Sequence, residues 1–108
     1  MTPLRTAALD GLRYAAHLVN YLGWEPCGPD THLSLWDHLK VAAGKTGPEN
    51  DEHPQDVLGL MGWMLEQHLE TPLLFDWESE PGRTAHEVSQ TFLAAAGQYQ
   101  PTVEQLAA

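Results

Sequence analysis

Six histidines, one cysteine and fifteen carboxylates are the residues of this 108-residue chain whose types could support metal or acid–base chemistry. A helical metal site sets its ligands three or four residues apart on one face. His17, His32, His38, His68 and His86 have no Asp, Glu, His or Cys at those separations. Only His53 does, with Glu49 and Asp56, and it stands beside Pro54 in a predicted loop. Cys27 lies between Glu25 and Asp30, and acidic neighbours disfavour a thiolate, so it reads as a turn residue. Asp76, Glu78 and Glu80 alternate without an adjacent base and read as a solvated edge. There is no Gly-rich phosphate loop and no G-x-S-x-G elbow. No catalytic residue, cofactor or metal ligand is assigned on this basis. A site would have to be assembled in space, from His17, His38, His68 or His86 converging on one another or on a carboxylate.

Charge is more informative. The formal net charge is -10, and it is one-sided. Residues 1–45 balance four acids (Asp10, Glu25, Asp30, Asp37) against Arg5, Arg13, Lys40 and Lys45, whereas residues 46–108 hold eleven acids and a single base, Arg83. Nucleic-acid affinity comes largely from Lys and Arg, so direct nucleic-acid binding is not expected. An acidic face suits solubility or docking of a basic protein. No apolar run approaches the ~20 residues of a membrane span, and the first residues carry no signal-peptide pattern. One cysteine excludes an internal disulfide framework and fits a reducing cytoplasm.

Hydrophobic periodicity places these residues on four main helices. The first is predicted over about Leu4–Leu22, with Pro3 in its first turn, Thr2 as cap and Gly23 as terminator. Leu4, Ala8, Leu12, Ala15, Leu18, Val19 and Leu22 share its apolar face, and Gly11 within that face would admit a close neighbour. The second helix is predicted over Leu35–Ala43, opened by a Ser34/Asp37 capping box and stopped by Gly44, with Leu35, Trp36, Leu39, Ala42 and Ala43 buried. A polar connector over 45–52 leads to a third helix from about Pro54 to Leu69 or Glu70. Its apolar face is Val57, Leu58, Met61, Met64, Leu65, His68 and Leu69. Residues 71–82 read as a connector with a short, extended middle. The fourth helix starts at the Thr84/Glu87 capping box, buries Ala85, Val88, Phe92, Ala95 and Ala96, and closes at Gly97. Thr102 and Gln105 have the spacing of one more capped turn. The expected fold is all-α: a single domain over 1–108, a compact bundle of four main helices with a short C-terminal turn.

Four tryptophans in a chain of this size are a surplus. Trp36 belongs to a predicted buried stripe and Trp24 to a helix exit. Trp63 falls opposite the third helix's apolar face, beside Glu66, Glu70 and Gly59, and Trp77 sits in the acidic connector. Tryptophan is enriched at interface hot spots. Trp63, Glu66, Glu70 and Trp77 are therefore the candidate interaction residues. Trp63 is expected either to meet another chain, with Gly59 and Gly62 letting a backbone approach, or to pack on Leu73, Leu74 or Phe75. Arg83, Thr84 and Glu87 form a candidate structural motif, in which Arg83 could pair with Asp76 or Glu78 and pin the connector to the last helix.

Two stretches carry a family resemblance: Leu12-Arg13-Tyr14-Ala15-Ala16-His17-Leu18 through Leu22-Gly23-Trp24, and Asp76-Trp77-Glu78-Ser79-Glu80-Pro81-Gly82-Arg83-Thr84-Ala85-His86-Glu87-Val88. With the Ala42-Ala43-Gly44 between them, the chain resembles a family of small uncharacterised proteins from actinobacteria and their phages. That family tends to have Asn-Asp where Glu78-Ser79 stands. The resemblance implies one small cytoplasmic domain and brings no catalytic residues with it.

The function expected from these residues is a non-catalytic acidic helical interaction module that binds a protein partner, a basic one or a second copy of itself. The alternative is a small enzyme or metal-binding protein built on dispersed histidines and carboxylates.

Overall fold

A computed structural model describes residues 1–101. Five helices follow one another: α1 (Pro3–Leu22), α2 (Leu35–Glu49), α3 (Pro54–Leu69), α4 (Leu74–Glu78) and α5 (Ala85–Tyr99). The described residues contain no strand. Four of the helices are long, and the architecture is the all-α bundle the periodicity calls for. The predicted turn at Thr102–Gln105 lies outside the described residues.

Helix α1 is the central element. It packs against α2, α3 and α5, while α3 also touches α2, α4 and α5. Being surrounded on three sides explains why it buries more than one stripe: Ala7, Leu9 and Ala16 are buried beside the predicted Ala8, Gly11, Leu12, Ala15, Leu18 and Val19. Leu22, expected inside, is exposed at the helix end. The small residues set the spacing. A Cβ on Gly11 would stand 2.7 Å from Met61 Sδ of α3 and 3.2 Å from Thr46 Oγ1 of α2. The core then fills with Leu12, Val19, Leu39, Val57, Met61, Leu65, Val88 and Phe92, each at most 1% exposed.

Helix starts follow the expected chemistry. Thr2 caps α1, Ser34 and Asp37 form a reciprocal capping box on α2, and the Thr84 hydroxyl accepts the Glu87 N–H on α5 at 3.2 Å. His53 caps α3, its Nδ1 accepting the Gln55 N–H at 3.2 Å.

Three boundaries differ from expectation. Helix α2 does not stop at Gly44 but runs to Glu49, with Pro48 near its end. A glycine ends a helix only when it turns left-handed, and the packing of the next turn holds it helical here. The Thr46 hydroxyl reaches the Ala7 carbonyl of α1 at 2.9 Å, and Gly47 is buried against Glu52 and Pro54. Residues 45–49 of the predicted connector are thus helical. Helix α5 similarly passes through Gly97 to Tyr99. The middle of the 71–82 connector is not extended: Leu74–Glu78 forms a short helix, anchored by the buried Leu74.

Candidate functional site

The outer side of α3 carries Asp56, Gly59 and Trp63, continued by Glu66 and by Glu70 at the helix cap. These positions alternate by three and four residues and so share one face, opposite the buried Val57, Leu58, Met61, Met64 and Leu65. Trp63 is 48% exposed there. Its intrachain neighbour is Tyr99 at the end of α5, with ring centroids 5.6 Å apart and planes inclined at 53°. Trp63 therefore does not rest on Leu73, Leu74 or Phe75 as anticipated. Helix α4 buries Leu74 and turns Leu73 and Phe75 outward. Trp63, Tyr99, Leu60, Met64, Thr2 and Arg5 line a shallow cavity of about 390 Å³. Arg5 holds its rim by donating Nε–H to the Tyr99 carbonyl at 3.1 Å.

Glu66 and Glu70 open onto a neighbouring cleft of about 480 Å³ with Gln67, Thr71 and Pro72. Among the described residues, no Lys or Arg nitrogen lies within 4.0 Å of Asp56, Glu66 or Glu70. Residues 102–108 hold no Lys or Arg. Gly59 leaves open space on this face. Gly62 does not: the Trp36 ring of α2 covers it, 3.1 Å from where a Cβ would stand, so Gly62 serves the packing of α2 on α3. That placement also leaves Trp36 39% exposed rather than buried.

Trp77, the fourth candidate, is not part of this face. The Arg83 guanidinium stacks over its ring at 3.9 Å, and Arg83 Nε–H donates to the Trp77 carbonyl at 3.0 Å. The carboxylate partners of Arg83 are Glu80 at 2.7 Å and Glu87 at 2.8 Å, in place of the anticipated Asp76 or Glu78. Arg83 does pin the connector to the start of α5, and its hydrogen bond holds the Glu87 carboxyl below the usual carboxylate range. The chain's one base after residue 45 is thus consumed internally. Asp37 is lowered likewise, chiefly by the Ser34 side-chain hydrogen bond.

Glu78 overturns the reading of 76–80 as a solvated edge. It is 3% exposed, and its Oε2 accepts the Trp24 indole N–H at 2.8 Å and the Leu35 backbone N–H at 2.6 Å. Leu35 opens α2, so this carboxylate meets the positive end of that helix. Alternation of acids hid it, because α4 turns Asp76 and Glu78 in different directions and Glu80 lies beyond its end. The sequence signal available was Trp24, an indole donor beside a helix exit that needed an acceptor.

The histidines do not converge. His38, buried, places Nε2 2.8 Å from the Gly23 carbonyl and so secures the end of α1. His68 Nδ1 meets Gln98 Oε1 at 2.5 Å, and His17 stacks on Tyr21. Among the described residues, no group of three His, Cys, Asp or Glu side chains could hold a metal ion. No described helix is long and apolar enough to cross a membrane. Comparison with protein-family models, curated proteins and solved structures finds no match.

Proposed function

We propose that this chain is a non-catalytic interaction module that captures a basic protein segment on the outer face of α3. The observation that carries the reading is Trp63: a large aromatic side chain, half exposed and braced by Tyr99, set among the unpaired carboxylates Asp56, Glu66 and Glu70. An aromatic anchor flanked along its own helix by carboxylates, with Arg5 on the α1 side tied to the Tyr99 carbonyl, supplies apolar contact at the centre and steering at the α3 rim. The same row of acids along α3 disfavours a two-fold α3–α3 contact with a second copy, because like charges would face one another across it. The partner chemistry that fits is an amphipathic segment bearing Lys or Arg around an apolar stripe. Nucleic acid lacks the required sign. The family resemblance and the single cysteine support a cytoplasmic setting for such a module, in an actinobacterium or a phage-infected cell.

The test is a titration of fluorescein-labelled helical peptides with one shared Leu stripe and Lys, Gln or Glu on the flanks. The Lys peptide should bind more tightly than the Gln peptide, weaken with NaCl, and lose at least about 10-fold in affinity to Trp63→Ala. Equal binding of Lys and Glu peptides, or an unaffected Trp63→Ala, contradicts the proposal.

A further inference from the structure

A second surface, away from the α3 face, couples a buried carboxylate to an apolar cavity. Cys27, Leu35, Trp36, Leu74, Phe75 and Glu78 line a cavity of about 250 Å³. Its walls are apolar, and Trp36 and Phe75 are 39% and 57% exposed at its mouth. Glu78 contributes the acidic group. Both of its protein hydrogen bonds fall on Oε2, from Trp24 and Leu35. Oε1 accepts none, and no described buried side-chain oxygen is sealed off without a partner, so Oε1 is not fully enclosed; Glu78 is one of the residues lining the cavity. No Lys, Arg or His of the described residues lies within 4.0 Å of this carboxylate, and residues 102–108 contain none of these residue types.

Glu78 is 3% exposed and has no counter-ion; its charge is met by two N–H donors at the positive end of α2, both on one oxygen. Two N–H donors orient one oxygen and leave the other free to accept. The two aromatic rings at the mouth supply apolar surface for the body of a ligand. From this juxtaposition we infer that the cavity is a binding site for a small organic cation: a primary ammonium ion on an apolar body. The ammonium N–H donates to Glu78 Oε1 and completes the missing ion pair, while the apolar body fills the space between Leu35, Leu74, Trp36 and Phe75. The volume, just under the ~300 Å³ at which drug-sized sites begin, selects a ligand of one ring or a short alkyl chain. The net charge of -10 raises the local concentration of such cations. This site is independent of the proposed peptide surface.

The experiment is a ¹⁵N-correlated NMR titration of the full chain with phenethylammonium chloride. 2-Phenylethanol serves as the neutral control of the same shape, and phenethyl-trimethylammonium as the cation without an N–H donor. The inference expects saturable shifts of the Trp24 indole N–H and the Leu35 amide on adding phenethylammonium. Binding of 2-phenylethanol should be at least about 10-fold weaker. The trimethylated cation should also bind more weakly than the primary ammonium. Glu78→Gln, which keeps the shape and an acceptor for Trp24 and Leu35, should abolish the preference for the cation over the alcohol. Phe75→Ala, at an exposed wall position, should weaken the ammonium without altering the Glu78 hydrogen bonds, and so provides a variant that does not risk the fold. Absence of saturable shifts at Trp24 and Leu35 overturns the inference. So does equal binding of alcohol and ammonium, or shifts spread evenly over the acidic second half of the chain.

Discussion

The Glu78 carboxylate accepts the Trp24 indole N–H at 2.8 Å across 54 residues of sequence, and its same oxygen takes the Leu35 N–H across 43. One side chain of the short α4 therefore joins the exit of α1 to the entry of α2. Glu78→Ala leaves two donors without their acceptor and should cost about 2–4 kcal/mol of stability. Glu78→Gln, which can still accept, should cost clearly less. Urea denaturation of both variants checks this, and a Glu78→Ala midpoint equal to wild type would mean the tie contributes nothing.

Gly44 and Gly47 should respond in opposite directions to alanine. Gly44 is helical with open space around its Cβ position, so Gly44→Ala should stabilise by about 0.5–1 kcal/mol. A Cβ on Gly47 would sit 2.9 Å from the Glu52 carbonyl oxygen, a backbone atom that cannot swing aside. Gly47→Ala should destabilise by about 1–3 kcal/mol. Thermal denaturation of the pair separates the two effects.

The acid limb of stability should depend on Ser34. The folded-state pKa of Asp37 is lowered, first by the Ser34 side-chain hydrogen bond. The capping box therefore contributes above the unfolded carboxylate value, about 3.9, and that contribution is lost as pH falls through the lower folded value. Ser34→Ala should move the Asp37 carboxyl upward in a carbon-detected NMR titration and cost about 1 kcal/mol at neutral pH. An unmoved Asp37 would show that the hydroxyl does not hold the carboxylate.

Arg83 should not be replaceable by lysine. Its guanidinium stacks on Trp77 at 3.9 Å while its nitrogens reach the Trp77 carbonyl, Glu80 and Glu87 together. An ammonium has the charge without the plane or the fork. Arg83→Lys should lower Tm nearly as much as Arg83→Ala, and the Trp77 emission should change in both variants. Full retention of Tm by Arg83→Lys would reduce the contact to simple charge pairing.

Much of this fold is legible in the sequence. Ser34/Asp37 and Thr84/Glu87 announce helix starts because capping is decided within four residues. Leu39, Met61, Leu65, Val88 and Phe92 announce the core because period 3.6 is also local. The end of α2 is not legible, since Gly44 carries the local signal for a stop while Thr46 and Gly47 are held helical by α1 and by the 52–54 segment. The candidate site divides in the same way. Helix phase puts Trp63, Glu66 and Glu70 on one outer face, but the choice of Tyr99 over Leu73–Phe75 as the neighbour of Trp63 depends on where α5 ends. The burial of Glu78 depends on Trp24 and Leu35, far away in sequence, and no spacing of acids reveals it.

The central claim is that the α3 face bearing Trp63 receives a basic partner, and mapping where a basic helical peptide lands tests it most directly. A ¹⁵N-correlated titration with the unlabelled Lys-flanked peptide should shift the Trp63 indole N–H and the amides of Asp56, Gly59, Glu66 and Glu70. The Trp24 indole, which belongs to the other surface, should stay in place. Shifts centred on α2 or α5, or none at the Trp63 indole under saturating peptide, would contradict the account.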